Sequence, residues 1–454
     1  MARAIGAVVT AAVATIVVAK GAQTKHLQRM KRLTHSLFLL LLVVALQGCV
    51  AYRFVGHGTE GIDDFKTFPT DTIHPATEPF RFAKAESRLL DTMRLKVERC
   101  EEPLTLRQMI DTLDSRNASA GIVVVQNDTI RFEHYRGMVG PDSHTTIFSV
   151  TKSVTSLLVG MAIDKGFIRS VEDAVTEYLP ELAERDPMFG QLTIENLLDM
   201  RTGLAFSENY SANPLSGMAR LHYGRHIEGQ IRAQHFKKAP DTEFEYNSMA
   251  TAIVGAVLER ATGRRYADLL EEWVWKPLGM ERYALMNLDD YQHRFAKAYG
   301  GLSTTPRDMA RFGRLYLNGG QWEGEQLVDK KWVARSLSAE RATRNGWYTN
   351  SWRTVPAVVY IDGERNFEDP TRLADLMVEA HEKYHIPIER MRAVPNDDGS
   401  WSIRAATDCF YAYGLHGQVV FIDPAKRIIA VYMGNDRVDN FPTLFYRMAE
   451  RMKK

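Results

Sequence analysis

Phe148-Ser149-Val150-Thr151-Lys152-Ser153 leads into Leu157-Leu158-Val159-Gly160-Met161-Ala162-Ile163, and Lys152 is the only charged residue from Ser149 until Asp164. A helix over 149–165 is apolar nearly all round, so other elements must wrap it. A lysine in its first turn then carries a charge where burial costs free energy. Ser149 and Lys152, three residues apart, share one face of that helix. A serine hydroxyl is a weak nucleophile until a neighbouring base takes its proton. A lysine serves as that base only where an apolar wall draws its pKa down. The positive end of the helix dipole favours negative charge on the serine oxygen. The plainer alternative is a helix-capping serine beside a lysine that stretches to solvent.

The 454 residues are 45% hydrophobic and 25% charged, which excludes collagen-like, disulfide-scaffold and disordered readings. The formal charge of +1 is uneven. Residues 1–48 hold six Lys/Arg and no acid, leaving 51 basic against 56 acidic residues in the remainder. A mildly acidic body without a long Lys/Arg cluster argues against a nucleic-acid partner.

Apolar stretches at 4–19 and Leu37–Leu46 flank Met30-Lys31-Arg32. The second has the basic start, short apolar core and small final residue of a secretory signal. Leu46-Gln47-Gly48-Cys49 resembles the end of a bacterial lipoprotein signal. That resemblance implies an exported, periplasmic protein tethered through lipidated Cys49, with the outer membrane as its expected anchor. An uncleaved anchor helix is the alternative. Met30 heads a complete signal by itself, so residues 1–29 read as an over-extended start. Export permits disulfides, so Cys100 and Cys409 either pair or stay as buried thiols.

Residues 50–85 show no sustained period and read as a tether, so the expected division is a targeting segment 1–48, an irregular linker 49–100 and one domain over 101–454. Gly121–Val125 and Thr129–Tyr135 form a hairpin about Asn127-Asp128, and Gln418–Ile422 with Arg427–Tyr432 form a second at Asp423-Pro424. Helical patterns lie at 105–116, 149–165, 171–178, 193–199, 248–262, 266–272, 305–317 and 327–336, with a last helix from Phe441. Strands at both ends and helices between predict an α+β fold. Its antiparallel sheet is flanked by helices and accompanied by an all-helical lobe. Residues 345–405, with one helix at 371–385, are either an insertion beside the site or a surface elaboration.

No serine lies in a G-x-S-x-G elbow. Beyond Ser149-Val-Thr-Lys152 there are further landmarks: Thr193–Gly203, Phe244-Glu-Tyr246-Asn247-Ser248, Pro277-Leu-Gly-Met280, Gly300–Gly313 and Leu415-His416-Gly417-Gln418. In this order and spacing the chain resembles the serine β-lactamase and penicillin-binding-protein superfamily, in its esterase/amidase branch of the 6-aminohexanoate-dimer hydrolase type. The resemblance runs from about residue 120 to 435.

The resemblance implies that Ser149 is the acylated nucleophile and that Lys152 and Tyr246 move protons. It implies that the amides of Ser149 and Gln418 form an oxyanion hole, that Gly417 and Ser248 lie at the substrate, and that His416 braces the strand edge or contacts substrate. It implies no cofactor and a small ester or amide substrate. Ser248 replaces the asparagine of Y-x-N. Leu415 stands where relatives acting on lactams or D-Ala-D-Ala peptides place a cation for a carboxylate, with Arg404 as a conceivable substitute. Ester or amide hydrolysis is therefore expected ahead of D-amino-peptidase or lactamase chemistry, with a catalytically silent cell-wall or partner-binding lipoprotein as the rival.

His381-Glu382-Lys383-Tyr384-His385 is an H-E-x-x-H, which on a helix places both histidines on one face for zinc. Lys383 and nearby Pro387 fit that pattern poorly. A third ligand would have to be Glu389 or Asp397, and a zinc peptidase is the remote alternative.

Overall fold

The computed structural model describes residues 50–97, 100–113, 118–210, 213, 216–437 and 440–454; the segment 1–48 and Cys49 lie outside them. The described chain forms two units. The smaller holds helices Val50–His57 and Gly217–Tyr223. Within it Arg53 Nη1 donates to the Tyr223 carbonyl at 2.7 Å, and the Phe54 and Tyr223 rings meet edge-on at 5.3 Å. None of the described helices is long and apolar enough to cross a membrane.

The larger unit is built on a nine-stranded sheet. Its strands are β1 (Ala83–Lys84), β2 (Ala120–Gln126), β3 (Thr129–Arg136), β4 (Tyr348–Thr349), β5 (Trp352–Val358), β6 (Met391–Pro395), β7 (Trp401–Tyr413), β8 (Val419–Asp423) and β9 (Ile428–Gly434). They run in the order β4-β5-β7-β8-β9-β2-β3-β1, with β6 also on β7, and only β1 lies parallel to its neighbour. The main helices are α1 (Val150–Asp164), α2 (Ser248–Thr262), α3 (Pro306–Leu317), α4 (Leu373–Tyr384) and α5 (Phe441–Arg451).

Both expected hairpins form, and they meet: β9 pairs with β2 from Ile428↔Gln126 to Gly434↔Ala120. Asn127 (φ +50°) and Asp128 (φ +57°) turn the first hairpin in the left-handed geometry that matches strand twist. β9 is buried throughout and β2 nearly so, because helices cover both faces of the sheet; hence their unbroken apolar sequences. On one face Phe441, Phe445 and Met448 of α5 pack with Ile122, Val124 and Phe421. On the other, α3 approaches so closely that a Cβ on Gly313 would lie 2.8 Å from Ile429. Cys409 and Cys100 are free thiols, the first in the α5-side core and the second against it.

Three expectations are corrected. Residues 70–85 are not an unstructured tether: Thr70–Ile73 pairs with Ala284–Asn287, and β1 pairs with β3. The segment between the hairpins, read as mainly helical, also contributes strands. Ala284–Asn287 and Leu302–Thr304 join Thr70–Ile73 and Thr145–Thr146 in a four-stranded antiparallel sheet. These strands are too short to show a period, and their partners are remote in sequence. The pattern at 171–178 shrinks to one 3₁₀ turn, Val175–Glu177. Within 345–405, β4, β5 and the start of β7 belong to the main sheet. Residues 359–400 carry α4 and β6 around a separate core of Val359, Phe367, Leu376, Met391 and Ile403.

Candidate active site

Every residue of α1 from Val150 to Ala162 is buried. One polar strip of this helix is tied to the backbone beside it. Thr155 Oγ1 donates to the Ala298 carbonyl at 2.7 Å, and Thr151 Oγ1 accepts the Leu302 amide at 3.3 Å. Lys152, 1% exposed, completes the strip. Its Nζ donates to Ser149 Oγ and to the Tyr299 carbonyl, each at 2.8 Å. Among the described residues no carboxylate pairs with it. Ser149 sits at the helix N-terminus, where the dipole favours an anion. Phe148 before it holds φ +45°, a strained value for a bulky side chain at a point where direction matters. The Gly300 backbone lies against it, a Cβ there falling 3.6 Å from the Phe148 carbonyl carbon.

Asn247 caps α2, its side chain accepting the Ala250 amide at 3.3 Å, and this presents Tyr246 on the opposite wall. Lys152 Nζ stands 5.2 Å from the Tyr246 ring centroid. A cavity of about 560 Å³ opens beside Tyr246, lined also by Phe206, Glu208, Tyr210, Lys237 and Glu245. Ser248 does not face a substrate freely: its Oγ donates to Glu208 at 2.6 Å and its amide at 2.8 Å. Tyr210 donates to the same carboxylate at 2.6 Å.

At the third landmark the structure moves the expected contact. The backbone that meets the nucleophile is Gly414, at the end of β7. A Cβ on Gly414 would fall 2.4 Å from the Ile147 carbonyl and 3.2 Å from the Ser149 amide. Leu415-His416-Gly417 form the loop that follows, closed by Gly414 N–H donating to the Gln418 carbonyl at 2.8 Å. Among the described residues the N–H groups of Ser149, Leu415 and Gln418 donate to no backbone carbonyl. The Gln418 side chain is buried and turned away: it donates to the Gly434 carbonyl and accepts the Gly434 amide at 3.1 Å. His416 is not directed at a substrate. Its Nε2 meets the Glu60 carbonyl at 2.8 Å, and its ring lies 5.4 Å from Phe148. Gly417 has φ +85° and lies close to Arg437.

Arg404 is no substitute for a cation at this landmark. It pairs in register with Val358 and Arg392, nine residues before Tyr413 on β7, about 30 Å along a strand. The position two before Gly414 is Ala412, buried and uncharged.

The sequence reading missed residues that only long-range pairing brings in. Segment Thr193–Gly203 grips the β4–β5 turn: Asp199 accepts the Asn350 amide at 2.7 Å and Arg341 at 2.8 Å, and Glu195 also accepts Arg341. Burial pushes the Asp199 carboxyl up. Asn350 (φ +45°) and Ser351 (φ +66°) make that turn left-handed, and Ser153 donates to the Ser351 carbonyl at 2.6 Å. Tyr348 and Arg353 are thereby set against Tyr246: the two rings lie 6.0 Å apart and the guanidinium 5.4 Å from Tyr246. Paired aromatics near a strained turn were visible as Trp347-Tyr348, but not their destination.

The H-E-x-x-H does not form a ligand set. α4 ends at Tyr384, His385 flips to φ +56°, and His381 Nδ1 meets the Ile386 carbonyl at 2.9 Å. Among the described residues the group with metal-ligand proximity is Asp289, Asp290 and His293, whose carboxylates already accept backbone amides.

The Beta-lactamase family model matches residues 106–452. A 6-aminohexanoate-dimer hydrolase of Paenarthrobacter ureafaciens is 31% identical over 255 residues, 51% of this chain and 62% of that protein. Esterase EstB of Burkholderia gladioli is 26% identical over 204 residues, 41% of this chain and 51% of the esterase. The chain thus spans between half and two thirds of the length of these relatives. A solved Bacillus anthracis structure, proposed to be a 6-aminohexanoate-dimer hydrolase, superimposes with TM-score 0.63 at 20% identity, covering 84% of this chain and 90% of that one.

Proposed function

Because this chain belongs to the beta-lactamase family, we propose that it is a serine hydrolase that cleaves small esters or amides through an acyl-enzyme on Ser149. The observation that carries the reading is Lys152 Nζ, buried and 2.8 Å from Ser149 Oγ. Lys152 takes the hydroxyl proton as Ser149 Oγ attacks the substrate carbonyl. The carbonyl oxygen becomes an oxyanion held by the Ser149 amide and an amide of the loop after Gly414. Removing one such donor costs roughly 3–4 kcal/mol. Tyr246 hands its proton to the departing oxygen or nitrogen, which leaves as alcohol or amine, and Lys152 passes the proton it took from Ser149 on to Tyr246. Water then attacks the acyl-enzyme, releases the acid and returns the proton to Ser149.

Esters and linear amides are favoured over anionic lactams and D-Ala-D-Ala peptides. Ala412 and Leu415 put no cation at the end of β7, and a charge-assisted hydrogen bond is worth roughly 1.5–3 kcal/mol. The test is one screen of short-chain esters, linear amides, D-amino peptides and a chromogenic lactam with wild type and Ser149→Ala. Ser149-dependent turnover of esters or amides is expected. Turnover of the lactam or peptide alone overturns the substrate class, and no turnover with no acylation leaves a binding protein.

Leu46-Gln47-Gly48-Cys49 supports a further part of the reading, an exported lipoprotein anchored through Cys49. A mature protein whose mass starts anywhere other than a lipidated Cys49 overturns it.

A further inference from the structure

Tyr246 carries the phenol that moves a proton, yet among the described residues no hydrogen bond holds that phenol. What packs against the ring must therefore set its direction. The last torsion of a tyrosine is broad, so a cation near the ring does not fix its plane. Lys152 Nζ and the Arg353 guanidinium, 5.2 and 5.4 Å from the ring centroid, are contacts of that kind. Tyr348 is different. Its ring meets Tyr246 at 6.0 Å with the two planes at 86°, the edge-on arrangement that aromatic pairs favour.

Tyr348 is itself held firmly. It is 2% exposed, and the Phe244 ring lies 5.4 Å from its own. Its carbonyl accepts Asn345 Nδ2 at 3.1 Å, and it pairs in register with Arg353 of β5. The turn that follows is pinned at both left-handed residues. Asp199 accepts the Asn350 amide at 2.7 Å, and Ser153 of α1 donates to the Ser351 carbonyl at 2.6 Å. Ser153 directly follows Lys152, so one helix carries the base and anchors the wall that abuts Tyr246. The buried Tyr348 hydroxyl has no hydrogen-bond partner among the described residues, so the ring is the part that makes contact.

We propose that Tyr348 is a positioning residue, whose ring, gripped through the β4–β5 turn, fixes the plane of Tyr246 and so aims its phenol at the leaving group. This rests on the acyl-enzyme reading. There, Tyr246 gives its proton to the leaving oxygen as the bond from that oxygen to the carbonyl carbon breaks, and the electron pair of the bond stays on the oxygen. Holding a proton donor in line is worth rate only when the leaving group needs the proton.

The test compares ethyl butanoate with 4-nitrophenyl butanoate, which form the same butanoyl-enzyme, so that kcat/KM compares acylation alone. Ethoxide must be protonated to leave, whereas 4-nitrophenolate departs as a stable anion. The readout is the ratio of kcat/KM for the ethyl over the nitrophenyl ester, which a change in the folded fraction does not move. Tyr246→Phe should lower this ratio by about 10²-fold or more. Tyr348→Leu should lower it roughly 10- to 100-fold, the loss that a misplaced reacting group brings. Tyr348→Met, with a longer side chain, repeats that reading where leucine leaves a cavity. Tyr348→Phe keeps the ring and should restore the ratio to within about threefold of wild type. A ratio unchanged in Tyr348→Leu and Tyr348→Met, with that of Tyr246→Phe lowered, overturns the proposal alone. An equal fall in Tyr348→Phe and Tyr348→Leu overturns the ring contact on which it stands. A wild type that cleaves only the nitrophenyl ester, or an unchanged ratio in Tyr246→Phe, removes Tyr246 as the proton donor and takes both readings of that residue with it.

Discussion

Lys152 Nζ lies 2.8 Å from Ser149 Oγ and 2.8 Å from the Tyr299 carbonyl, so its two hydrogen-bond partners are both uncharged. The amine is held by a backbone oxygen on one side and aimed at a hydroxyl on the other. That is a fixed geometry for moving a proton.

Lys152→Ala should therefore reduce kcat/KM on a short-chain ester by about 10²–10⁴-fold, the range for a lost general base. The Ser149→Ala/Lys152→Ala double variant should be no worse than Ser149→Ala, because the two act as a unit. Steady-state kinetics of the three variants check this, and additive losses would contradict it.

Gly414→Ala tests the close approach at the end of β7. The added methyl would meet the Ile147 carbonyl at 2.4 Å and the Ser149 amide at 3.2 Å. Relief requires backbone movement at the nucleophile, at a cost of about 1–3 kcal/mol for overpacking. Both the urea midpoint and kcat should fall. An unchanged kcat would mean that Gly414 does not border the reacting carbonyl.

Gln418→Ala tests the brace behind the same loop. The side chain makes two hydrogen bonds with the Gly434 backbone, so its removal leaves a buried amide and carbonyl unpaired. Stability should drop by about 1–3 kcal/mol. Urea unfolding of the variant measures the loss directly, and a midpoint equal to wild type would contradict it.

Glu195 ties the Thr193–Gly203 segment to Arg335 and Arg341, and its stabilisation should depend on acid. Burial opposes its ionisation, but hydrogen bonds from Arg341 and Arg335 and their positive charge prevail and hold the carboxyl below its ordinary range. The folded pKa is thus lower than the unfolded value of about 4.3. Its contribution is present above that value and is lost as the pH falls through the folded one. Between about pH 5 and 3 wild type should lose stability more steeply than Glu195→Gln. Parallel urea midpoints across that range would contradict the linkage.

What the sequence revealed was local. Ser149 and Lys152 could be placed on one helix face because three residues and an apolar run suffice to define it. The two terminal hairpins were legible because their buried strands are unbroken apolar runs about tight turns. Gly414 was not legible: its role comes from β7 ending against Ile147, and the resemblance pointed instead to Leu415-His416-Gly417-Gln418, with the Gln418 amide as the oxyanion donor. Arg353 carries no local signal, since what matters is the Tyr246 ring delivered from α2 more than a hundred residues earlier. Thr70–Ile73 looked irregular because four residues show no period and their partner strand is Ala284–Asn287. The H-E-x-x-H looked helical throughout, but a left-handed His385 ends the helix inside the motif.

Intact-mass analysis after treatment with a fluorophosphonate addresses the acylation of Ser149 most directly. Wild type should gain one adduct per chain, carried by the peptide containing Ser149, and folded Ser149→Ala should gain none. An adduct on another residue, or an unmodified wild-type chain that is demonstrably folded, would contradict it.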